Sequence, residues 1–228
     1  MVNRRVFIER GLKYTIASGL LFSGLPGCHG TEALKEKEVS PPEDLMQEHG
    51  VLNRVLLIYD CCRDNLLHDH FVNHEILQSG ANIIRNFIEN YHEKQEEDYL
   101  FPRFERANQL TDLVQTLRKQ HTAGRLITDH ILQLTKAKQL TAPENQRLIA
   151  LLGNFNTMYR PHEAREDTVL FPAFRQLVSK NEYDSLGEEF ENNERNLFGE
   201  DGFKSAVEKV AGLEKALGIY ELDKFTPM

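Results

Sequence analysis

Two stretches of this 228-residue chain repeat a phrase that could ligate metal. Residues 91–105, YHEKQEEDYLFPRFE, and 161–175, PHEAREDTVLFPAFR, match at seven of fifteen positions with a constant offset of 70. Each copy sets a histidine four residues before a glutamate: His92 with Glu96, and His162 with Glu166. On a helix this spacing places both side chains on one face, about 6 Å apart along the axis. An imidazole nitrogen and a carboxylate oxygen can then meet one cation, and the second carboxylate oxygen is free to reach another. Glu93 and Glu163 lie about 100° round the helix and should point to partners behind the site or at the surface.

His49 and His121 supply a second pair. Each falls on an apolar helical stripe, beside leucines and without a carboxylate in register. Together the candidate ligands are His49, His92, Glu96, His121, His162 and Glu166. Four imidazoles and two carboxylates suit iron or manganese, and zinc less specifically. Without a cation, two glutamates buried beside apolar surface would cost several kcal/mol or hold their protons far above the usual range, on the order of what burial of a charge demands.

The elements that must position these residues are helices. From residue 41 onward apolar residues recur at helical rather than alternating spacing. Leu45, His49, Leu52, Leu56 and Tyr59 line a first helix, opened by Ser40-Pro41-Pro42-Glu43. Leu77, Ala81, Ile84, Ile88, His92, Glu96 and Tyr99 line a second. Leu113, Leu117, His121, Gly124 and Thr128 mark a third, and Leu148, Leu152, Phe155, Tyr159, His162, Glu166 and Leu170 a fourth. The fold class expected is all-α: an antiparallel four-helix bundle over residues 41–180. A C-terminal extension, 181–228, adds helices at about Glu182–Leu197 and Gly202–Leu217, stopped by Gly218. Pro102 and Pro172 should kink or end their helices just beyond the ligands, and the neighbouring phenylalanines could wall the site from water.

The first 28 residues read as an export leader. Arg4 and Arg5 precede a short apolar stretch, too short to span a bilayer as a helix, that ends in Leu25-Pro26-Gly27-Cys28. NRRVFI resembles a twin-arginine signal, and the residues up to Cys28 resemble a lipobox, with Cys28 the site of lipidation. Residues 29–40, charged and poor in core residues, read as a linker. The expected location is across a bacterial inner membrane, periplasmic or held at the membrane surface by lipid on Cys28.

With 35 acidic against 27 basic residues and a net charge of -8, the chain is not expected to bind nucleic acid. Three cysteines, Cys28, Cys61 and Cys62, make neither a disulfide framework nor a thiolate zinc site. His68 and His70 read as lying in the first connection and His74 as too far along the second helix from His92 to share the site, all three solvated, and His130 reads as surface. Tyr59 and Tyr159 read as core packing that could also donate a hydrogen bond into the site.

The order His, HxxxE, His, HxxxE on successive helices resembles the hemerythrin family, in its HHE cation-binding group, over about residues 43–180. The resemblance implies a non-haem di-iron centre with Glu96 and Glu166 bridging, and dioxygen, nitric oxide or a small anion bound at an open iron position. Oxygen-carrying hemerythrins are similar but place a further histidine four residues after the third-helix ligand, where this chain has Arg125. That departure weakens reversible oxygen carriage and favours sensing, iron handling or redox chemistry. A metal and small-ligand binding protein is the expectation; an iron storage, delivery or repair factor, or a redox enzyme acting on peroxide or nitric oxide, is the alternative.

Overall fold

A computed structural model describes residues 40–227, which form helices and, among the described residues, no strand. The leader and lipobox readings, and the linker except Ser40, lie outside the described residues.

α1 spans Pro41–Leu67. The Ser40 N–H donates to Glu43 Oε2 at 2.9 Å, and Pro41 and Pro42 occupy positions whose donors a first turn leaves unpaired anyway. α2 starts as His74–Ile83, capped by the Asn73 side chain accepting from the Glu75 N–H at 3.0 Å. It continues through Ile84–His92, Glu93–Gln95, Glu96–Leu100 and Phe101–Ala107. α3 is Thr111–Leu134. α4 starts as Ala142–Arg165, opened by the Thr141 N–H donating to Glu144 Oε2 at 2.8 Å, and continues through Glu166–Leu170 and Phe171–Leu177. α5 is Lys180–Phe198, and α6 is Gly202–Leu217, which ends on Gly218 in the left-handed region at φ 71°. The connections 68–73, 108–110 and 135–141 are short, which makes successive helices antiparallel neighbours.

Of a kink and a helix end, the two outcomes expected, the second does not occur at Pro102 or Pro172. Each follows a π-helical turn, Glu96–Leu100 or Glu166–Leu170, in which the Phe101 N–H reaches Glu96 O and the Phe171 N–H reaches Glu166 O. The wider turn makes room for the proline ring and absorbs its missing donor, so the helix runs on for a further turn and a half or so.

Apolar side chains form two clusters. One, around Leu52, Leu56, Tyr59, Ile88, Leu152 and Phe155, lies on one side of the histidines. The other, around Leu45, Phe101, Phe104, Leu117, Phe171 and Phe174, lies on the other. Between them sits a buried polar layer. α5 and α6 cover the outside. Arg103 Nε donates to Glu182 Oε1 at 2.8 Å, and Arg54 pairs with Glu214 through two bonds, Nε at 2.9 Å and Nη2 at 2.5 Å. Phe87 and Tyr91 pack against Phe198.

His68 ends α1, His70 is exposed in the connection, and His74 donates from Nδ1 to the Ala137 carbonyl at 2.8 Å. His130 is half-buried rather than fully at the surface. Cys61 and Cys62 are free thiols near the end of α1.

Candidate metal centre

The six candidate ligands converge from four helices and are each no more than 4% exposed: His49 from α1, His92 and Glu96 from α2, His121 from α3, His162 and Glu166 from α4. They fall into two groups that could each hold a metal ion, His49 with His92 and Glu96, and His121 with His162 and Glu166; the ligand atoms of each group lie within 4.8 Å of one another. The carboxylates join the groups. Glu166 Oε2 is 3.4 Å from His49 Nε2, while its Oε1 is 3.2 Å from His162 Nε2. Glu96 Oε2 lies 3.8 Å from His92 Nε2 and 3.5 Å from His121 Nε2. Each glutamate therefore faces one histidine of each group.

Two observations test whether these residues fit a cation. All four carboxylate oxygens of Glu96 and Glu166 are buried and receive no hydrogen bond, an arrangement that is costly unless positive charge meets them. All four imidazoles turn Nε2 inward and have an acceptor on Nδ1. The partners are Asp167 Oδ1 for His49 at 2.8 Å, Glu48 Oε2 for His92 at 2.8 Å, Glu97 Oε1 for His121 at 3.1 Å, and Gln120 Oε1 for His162 at 2.9 Å. An acceptor there keeps the proton on Nδ1 and leaves the Nε2 lone pair for a cation. The donor set fits.

Those four acceptors were not identified from the sequence. Each adjoins a candidate ligand, preceding it on α1 and α3 and following it on α2 and α4. A neighbour in sequence sits about 100° round the helix, so it faces the next helix in the bundle. Glu48 of α1 meets His92 of α2, Glu97 of α2 meets His121 of α3, Gln120 of α3 meets His162 of α4, and Asp167 of α4 meets His49 of α1. The pairs EH, QH, EE and ED were the available signal.

Glu93 and Glu163 are buried, not at the surface. Glu93 accepts from Tyr159 Oη at 2.7 Å and pairs with Arg125 Nη2 at 2.7 Å; Glu163 accepts from the Asn53 amide. Arg125 Nη2 is also 2.7 Å from Glu97 Oε1, so the acidic group Glu93, Glu97 and His121 already holds a cationic side chain. Tyr159 lies edge-on to His162 and against Gly124, whereas Tyr59 is core, beside Phe155. Phe171 stacks on His49 and Phe101 on His121, both at 5.6 Å between ring centres, the wall expected from the LFP phrases.

The electrostatics of the protein without a cation follow from burial. Burial and the facing Glu166 charge push the Glu96 carboxyl well above the usual range. Burial raises Glu93 to about 8 against the pull of Arg125, and Glu163 to about 8 against that of His49. Burial alone would lower His49, but the hydrogen bond to Asp167 and the facing Glu166 carboxylate charge outweigh it and raise the imidazole to about 10. Burial lowers His121 to about 4.

Residues 40–174 match the family described as Hemerythrin HHE cation binding domain. The chain is also 46% identical over 205 residues, 89% of its own length and 80% of the relative's, to Uncharacterized protein Rv1995 of Mycobacterium tuberculosis (strain ATCC 25618 / H37Rv). Uncharacterized protein Mb2018 of Mycobacterium bovis is similar to the same extent. No solved structure matches the chain.

Proposed function

Because this chain belongs to the hemerythrin HHE cation-binding family, we propose that its centre holds two non-haem iron ions and binds dioxygen, nitric oxide or a related small ligand. The observation that carries the reading is Glu166, whose two oxygens face His49 and His162 at 3.4 and 3.2 Å. His49 and His92 would hold one ion, His121 and His162 the other, with Glu96 and Glu166 shared. Two imidazoles and two shared carboxylates leave each ion short of the usual octahedral complement of iron, and hence open to a small ligand. Bound iron supplies reversible ligation and one-electron chemistry.

The residues of the chain do the rest. The Nδ1 acceptors orient the imidazoles and strengthen them as donors. Phe101 and Phe171 exclude water from one side. Arg125 stands where oxygen carriers have a further histidine and is engaged by two carboxylates, which supports sensing or stress protection over carriage. The near-complete burial of the ligands supports a resident cofactor over iron that is stored and handed on.

The sequence alone supports two further parts of the proposal: export directed by Arg4 and Arg5, and attachment to a membrane surface through Cys28.

Anaerobic loading of the mature chain with ferrous iron, followed by metal analysis and optical spectra with azide and nitric oxide, tests the reading. Two ions per chain and reversible ligand bands are expected. One ion or none would refute it. Steady turnover of peroxide or nitric oxide would move the assignment to an enzyme.

A further inference from the structure

The repeated phrase makes the centre nearly twofold symmetric, and the residues behind it break that symmetry. Counterparts lie 72 residues apart between α1 and α3 and 70 apart between α2 and α4, so that His49 corresponds to His121, His92 to His162, and Glu93 to Glu163. Behind His92 stands the Glu48 carboxylate at 2.8 Å; behind His162 its counterpart is the neutral Gln120 amide at 2.9 Å. Glu163 is met by the Asn53 amide, whereas Glu93 is met by the counterpart of Asn53, the Arg125 guanidinium at 2.7 Å. Arg125 also pairs at 2.7 Å with Glu97, the residue behind His121, which Lys94 Nζ contacts at 2.6 Å.

Both replacements act in the same direction. A carboxylate behind an imidazole makes it a stronger donor than an amide does. A guanidinium fixed beside one half opposes a cation there, and it drains the Glu97 charge that would otherwise support His121. One half of the centre is electron-rich and the other is partly neutralised.

We propose that the two cation positions are unequal: the His49/His92 position binds its ion more tightly and fills first, and the His121/His162 position holds the looser ion. The proposal rests on the two-cation reading above. Partners behind a metal ligand typically change metal affinity by about tenfold to a hundredfold each, so a difference of at least about tenfold is expected.

The test is an anaerobic titration of the metal-free mature chain with ferrous iron against a competing chelator, with Mössbauer spectra at each step. Two resolved steps are expected. His49→Ala removes the tight step and His121→Ala the loose one. Glu48→Gln weakens the tight step by about tenfold or more, and Gln120→Glu strengthens the loose one, each with its partner step unmoved. Both exchanges keep side-chain shape, and metal-free melting curves for the variants identify any change due to packing alone. Two ions bound with equal strength, or a tight step that survives His49→Ala and disappears with His121→Ala, would overturn the proposal while leaving the two-cation reading intact. Uptake of one ion or none by the unaltered chain would overturn both.

Discussion

The Tyr159 hydroxyl donates to Glu93 Oε1 at 2.7 Å across the bundle, and it does so over Gly124, where a Cβ would stand 2.1 Å from that hydroxyl. Gly124 is therefore a packing requirement: α3 must lack a side chain for Tyr159 to reach α2. Glu93, engaged by Arg125 on its other oxygen, is thereby fixed one residue after the candidate ligand His92.

Gly124→Ala must displace Tyr159 and strand a buried carboxylate oxygen, at an expected cost of about 2–4 kcal/mol. Tyr159→Phe alone should cost about 1–3 kcal/mol. Urea unfolding of both variants and the double variant checks the link. The pair should be non-additive by about 1 kcal/mol or more, and simple additivity would mean that the contact is not the cause.

Glu96 and Glu166 each face both metal groups, whereas His49 faces one. Glu96→Ala and Glu166→Ala should each impair both ions, and His49→Ala chiefly one. Metal counts and Mössbauer spectra of the three variants decide. Equal patterns of loss would count against sharing.

The metal-free protein should lose stability as the pH rises. Glu93 and Glu163, raised to about 8, contribute stability that is fully present below the ordinary 4.5 and lost as pH climbs through 8. His49, raised from 6.5 to about 10, contributes below 6.5 and ceases to do so through 10. His121, lowered to about 4, acts oppositely and costs stability as pH falls from 6.5 towards 4. Melting temperatures of the metal-free chain should therefore fall from about pH 6.5 to about pH 9. Iron held by His49 would displace the proton from that imidazole, so the stabilisation that it adds should grow over the same range. A metal-free melting temperature that rises with pH there would contradict the assignment.

α6 is held to α1 by the paired bonds between Arg54 and the nearly buried Glu214. Arg54→Ala leaves that carboxylate without its main partner and should destabilise the chain by about 1–3 kcal/mol, with Arg54→Lys recovering only part because it cannot form both bonds. Denaturant unfolding, with iron content measured alongside, checks this. Stability should fall while metal uptake by the folded protein is retained.

The residue order by itself determined the candidate residues that the structure brings together, the helical class and the family resemblance. The reason is that HxxxE is a local relationship, fixed by one helix's pitch, and the offset of 70 repeats it. The same locality could not choose between a kink and a helix end at Pro102 and Pro172, because a π turn can absorb a proline and nothing in the LFP phrase distinguishes that from a helix end. Only the tertiary structure decided which residue stands behind which histidine. Glu48 adjoins His49 in the chain yet serves His92, and Arg125 meets Glu93 and Glu97 from another helix. Such pairings depend on how each helix is rotated about its axis against its neighbours, and that rotation is set by the packed apolar layers on either side of the centre.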